Sequence, residues 1–109
     1  MTPDRRNQLL NEALQLALVR DADSVVLVLH EHYPDTSHAE LVTVEAEART
    51  ASIRAGQIVE EALGAVAGSQ CTFEEAENKG RAQILAHISW IDSSSIDRVW
   101  GLNQANFFR

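Results

Sequence analysis

Apolar residues recur at three- and four-residue steps over most of this chain, a spacing that predicts helices. Leu9, Leu10, Ala13, Leu14, Leu16, Ala17 and Leu18 form one amphipathic face. Thr2-Pro3-Asp4 opens it with a capping hydroxyl, a proline suited to the first helical position, and an acid at the positive helix end. The helix is expected to end near Val19, where Arg20-Asp21-Ala22-Asp23 breaks the pattern.

A longer pattern follows. Leu41, Val44, Ala48, Ala51, Ala55, Ile58, Ala62 and Ala65 alternate three- and four-residue steps, with mostly polar residues between them. Ser37 and Glu40 make a capping-box pair just ahead of it. A seam of this length predicts one helix over about 37–67, despite the cost of about 1 kcal/mol for Gly56. Gly68-Ser69-Gln70 is a tight connection, and Thr72 with Glu75 opens another helix carrying Phe73, Ala76, Gly80, Ile84, His87 or Ile88, and Ile91 inward. Ser94 with Asp97 is a weaker capping pair for a last helix near 95–105 with Ile96, Val99, Trp100 and Leu102.

Ser24–Tyr33 stays open between two states. Val25–Leu29 reads as a buried strand, or as a short buried helix capped by Asp23 or Ser24 and stopped before Pro34. The strand reading implies an α+β fold with a hairpin at 24–33/40–48. A lone two-stranded sheet is marginal unless something covers it. The expectation is therefore all-α: four to five helices, a long central one, an antiparallel helical hairpin, and a single domain over 1–109.

Composition narrows the function. The chain has 109 residues, room for one modest core, and only six aromatics. Alanine supplies much of the apolar content and buries little area, which favours self-association. The net charge of −7 is spread along the chain, so no basic stripe exists for phosphates or anionic membranes. A basic protein partner suits that field. Cys71 is alone, no signal peptide is evident, and no apolar run approaches a membrane span, so the expected location is the cytoplasm.

Candidate chemistry is sparse. His30 and His32, with His38 nearby, would share a face as metal ligands on a strand, but diverge on a helix. The commoner meaning of such a cluster is a polar turn. Glu60 and Glu61, with Glu74 and Glu77, suggest an alternative, Mg²⁺-dependent nucleotide hydrolysis, although the second acidic pair and converging basic residues that it needs are missing. Asp97, Arg98, Asn103 and Gln104 would serve a helix-turn-helix DNA reader, without basic neighbours to hold phosphates. His87 reads as a hydrogen-bonded core histidine. No cofactor is expected.

The C-terminus is different. Trp90, Trp100, Phe107 and Phe108 put four of the six aromatics in the last twenty residues, and chain ends fray unless they dock. The expected function is non-enzymatic: a helical inhibitor, adaptor or regulator, self-associating, of the kind that phage or mobile elements encode. Its interaction residues are expected to be Ala48, Ala51, Ala55, Ala62, Trp100, Phe107, Phe108 and Arg109.

Overall fold

A computed structural model describes residues 1–108. Those residues form five helices and no strand: α1 (Pro3–Ala17), α2 (Ala22–His32), α3 (His38–Ala67), α4 (Phe73–His87) and α5 (Ser93–Phe107). The fold is all-α with a long central helix, and the strand hairpin at 24–33/40–48 does not form. Val25 and Leu29, one helical turn apart, are both fully buried, whereas Leu27 is 65% exposed. That split fits a helix presenting one face to the core.

The chain divides into two compact units, Met1–Ser52 and Ile53–Arg109, and α3 contributes its first half to one and its second half to the other. In the first unit, Leu9, Leu10 and Leu14 of α1, Val25 and Leu29 of α2, and Leu41, Val44 and Ala48 of α3 make the core. Thr2 caps α1 by accepting from the Arg5 amide at 3.2 Å. Asp21, rather than Asp23 or Ser24, caps α2 by accepting from the Ser24 amide at 2.8 Å. The Ser24 backbone and side-chain hydrogen bonds hold the Asp21 carboxyl below its ordinary value. The stability it contributes is therefore present at neutral pH and lost as the pH falls through the carboxylate range.

Glu45 is a carboxylate buried in this core, beside the buried polar residues Asn11, Thr36 and Ser52. Its side chain is 8% exposed and accepts from Arg49 Nε at 2.5 Å, while Arg49 also donates to the Arg20 carbonyl at 3.0 Å. Arg49 thus neutralises a buried carboxylate and satisfies the chain just beyond α1. Arg49→Met is expected to lower stability by about 1–3 kcal/mol, because Glu45 loses its charged partner. Arg49→Lys should cost less, and urea denaturation distinguishes the two.

In the second unit, Ala55, Ile58, Val59 and Leu63 of α3 share a core with Ala76 and Ile84 of α4 and Ile96, Val99 and Trp100 of α5. The α3–α4 hairpin closes through residues 68–72. Ser69 takes a positive φ of 59° there, with its amide bonded to the Val66 carbonyl at 3.0 Å and the Gln70 amide to the Ala65 carbonyl at 2.9 Å. This is a Schellman ending with serine where glycine is usual. Thr72 and Glu75 form a full capping box on α4. Gly80 lies at a close helix crossing: a Cβ there would sit 2.7 Å from Trp100 Cζ3 and 3.5 Å from Ala62 Cβ.

The buried line on α3 differs from the expected seam in period. Leu41, Val44, Ala48, Ala55 and Ile58 of that seam are buried, but so are Glu45, Ser52, Val59 and Leu63 beside it, and Leu41, Ser52 and Leu63 recur at eleven-residue steps. A straight helix drifts by about 20° per heptad against a strict seven-residue repeat, so the inward face moves off the heptad column. Ala51, Ala62 and Ala65 are half-buried for this reason.

Candidate protein-binding surface

The C-terminal helix starts from an acid cap. Asp92 accepts from the Ser95 amide at 2.8 Å, displacing the expected Ser94–Asp97 pair by two residues. Ser95, Ile96, Val99 and Trp100 then face inward. Phe73 meets the Trp100 ring edge-on at 6.4 Å, and the Arg81 guanidinium sits 5.9 Å from its centre. Arg81 is itself held by Asp97 at 2.6 Å and Glu77 at 3.1 Å. The Asp97 hydrogen bond leads in raising its pKa. Trp100 Nε1 is buried without an acceptor. Trp100 is therefore a core residue of its own unit.

Beyond Trp100 the helix emerges into solvent. Leu102, Asn103 and Gln104 are half-buried, and Ala105–Phe108 are exposed. The backbone does not fray at once, since the Phe108 amide still donates to the Gln104 carbonyl at 3.2 Å. Phe107 is 37% exposed and Phe108 56%, their rings edge to face with centres 5.1 Å apart. Two apolar rings are thus held on a formed helix end, where docking costs little ordering entropy. No protein-family model matches the chain, and no curated protein or solved structure matches it.

The other expected interaction residues divide by location. Ala48 and Ala55 are fully buried, and Ala51 and Ala62 half-buried, so the alanine ridge is covered largely within the chain itself. Arg109 lies outside the described residues. Large exposed apolar side chains that the periodicity did not single out are Val19, Leu27, Val42, Ile53 and Leu85, at 44–71% exposure. Those on helices stand at outward positions, which an inward-facing pattern cannot flag.

The chemical candidates scatter. Because α2 is helical, His30 and His32 part: His32 pairs with Glu12, and His30 meets His38. Glu12 also accepts from Tyr33, whose phenol is pushed up to about 12, mainly by burial and then by that carboxylate. Among the described residues, no three His, Cys, Asp or Glu side chains converge to hold a metal. Glu75 is committed to its cap and Glu77 to Arg81, while Glu60, Glu61 and Glu74 are exposed. Asn103 donates to the Val99 carbonyl at 2.8 Å instead of facing outward. His87 is exposed, not a core residue, because α4 ends there and Ile88 takes the inward position. Cys71 lines an open cleft of about 450 Å³ with Glu61, Gln70, Glu75 and Lys79. No described helix is long and apolar enough to cross a membrane.

Proposed function

We propose that this protein acts by binding protein surfaces, a second copy of itself among them, as an inhibitor, adaptor or regulator rather than as an enzyme. The observation that carries this reading is the solvent-exposed Phe107–Phe108 pair on the ordered end of α5. Interface cores are enriched in aromatics and depleted in charged residues, and these two rings are an exposed aromatic pair.

Magnitudes set the form of that binding. A phenylalanine carries roughly 150–250 Å² of surface, so covering the exposed parts of both rings is worth on the order of 5 kcal/mol per chain. Joining two bodies costs about 4–15 kcal/mol. The pair is thus an anchor within a wider contact. Two rings alone support only weak self-association. A net charge of −7 opposes self-association at low salt and favours a partner with basic surface.

Phe107→Ser with Phe108→Ser is expected to reduce association at least about tenfold, the equivalent of about 1.4 kcal/mol. Sedimentation velocity of the wild type and the double variant reads this directly. Equal association constants would refute the assignment of the surface to these rings.

A further inference from the structure

His30 and His38 meet across the corner between α2 and α3. His30 Nε2 lies 2.9 Å from His38 Nδ1, the ring planes differ by 7°, and the ring centres are 5.2 Å apart. That centre-to-centre separation is about what the nitrogen distance and two imidazole radii add up to. The rings therefore lie edge to edge in nearly one plane, each nitrogen aimed at the other, and not face over face. A nitrogen pointed straight at another is a hydrogen bond, in which one ring donates its N–H and the other accepts.

The backbone holds this pair in place. The Tyr33 amide bonds to the Leu29 carbonyl at 2.8 Å, the Thr36 amide to the Tyr33 carbonyl at 3.1 Å, and the Glu40 amide to Ser37 Oγ at 3.2 Å. Thr36, buried in the turn, also accepts from Arg5 at 3.2 Å. Leu29 and Leu41, next to or near the two histidines in sequence, are fully buried. Both rings hang from an anchored corner, and both reach solvent.

We propose that His30 and His38 form a two-imidazole binding site for a first-row transition-metal ion, Cu(II) above the others. Imidazole suits copper, nickel and zinc, and copper stands highest in affinity among the divalent ions. Two cis ligands with metal–nitrogen bonds of roughly 2.0 Å stand nearly as far apart as these nitrogens already do. The nitrogen spacing therefore already suits the ion, while each ring must turn by roughly 45° for its lone pair, now aimed at the other nitrogen, to meet it. The bridging N–H gives its proton to solvent and that ring takes one back at its other nitrogen, so two neutral rings bind with no net proton released. Water fills the remaining positions. His32 does not join, being turned away on the helix and paired with Glu12.

The test titrates Cu(II) alone into the untagged full chain, read by calorimetry and by the nitrogen splitting in frozen-solution electron paramagnetic resonance. Wild type and His32→Gln should each bind one ion with two imidazole nitrogens. His30→Gln and His38→Gln should each weaken binding by about tenfold or more and lose one nitrogen, since changes even outside the ligand set cost about 10–100-fold. His30→Ala and His38→Ala repeat the comparison, with circular dichroism confirming unchanged helicity. Wild-type affinity in either folded variant, or a single imidazole in the wild-type spectrum, overturns the site.

Discussion

Gly80→Ala is expected to destabilise the second unit by about 1–3 kcal/mol, the usual cost of forcing extra volume into a packed core. The added methyl would sit 2.7 Å from Trp100 Cζ3, closer than carbon atoms tolerate. The indole has little room to retreat: Trp100 is 3% exposed, with Phe73 against its edge and Arg81 over its face. Helix propensity pulls the other way by about 1 kcal/mol, and the overlap outweighs it. Gly64 supplies the control, because a methyl there meets nothing within 4 Å. Gly64→Ala should therefore stabilise by about 0.5–1 kcal/mol. Urea denaturation followed by tryptophan fluorescence should give opposite signs for the two. The same sign in both would contradict the crossing.

A charge placed along α3 should have an effect graded by face. Ala55 is fully buried, Ala51 half-buried and Ala46 exposed. Ala55→Glu buries a carboxylate without a partner and should cost about 3–5 kcal/mol, a large share of the roughly 5–15 kcal/mol that holds a domain folded. Ala46→Glu should stay within about 0.5 kcal/mol of wild type, as surface changes do. Ala51→Glu should fall between them. Thermal melts by circular dichroism order the three variants, and equal melting temperatures would mean that α3 has no inward face at these positions.

Much of the helical architecture was legible because local signals agreed with one another. Thr2-Pro3-Asp4, Ser37 with Glu40, and Thr72 with Glu75 each stand at or within a residue of a helix start. Where several polar residues competed, the choice lay outside local reach. Asp92 and three serines all offer to cap α5, and Ser95 is excluded by its burial. At α2 it is Asp21, and not Asp23 or Ser24, that accepts from the first-turn amide. The α3 seam held at Leu41, Val44, Ala48, Ala55 and Ile58 and fell off the buried face at Ala51, Ala62 and Ala65, because a heptad count ignores the 3.6-residue turn. Counting by elevens from Leu41 reaches Ser52 and Leu63, both inside.

The proposed binding surface was only partly legible. Phe107 and Phe108 stood out as aromatics at a chain end. Whether the alanine ridge faced a second copy or the chain's own helices depended on tertiary packing, and the local period is the same in both cases. His38 approaches His30 because Pro34 and the buried Thr36 lie in the turn that joins α2 to α3, a geometry that spacing between histidines does not encode.

Fluorine spectroscopy tests the central claim most directly, since the chain holds only three phenylalanines. With 4-fluorophenylalanine incorporated, Phe73 reports the packed core beside Trp100, while Phe107 and Phe108 report the exposed helix end. As the protein is concentrated from micromolar to millimolar, the two C-terminal resonances should shift and broaden while that of Phe73 holds still. Three resonances that ignore concentration, and ignore a basic protein partner added in excess, would contradict a binding role for this end of α5.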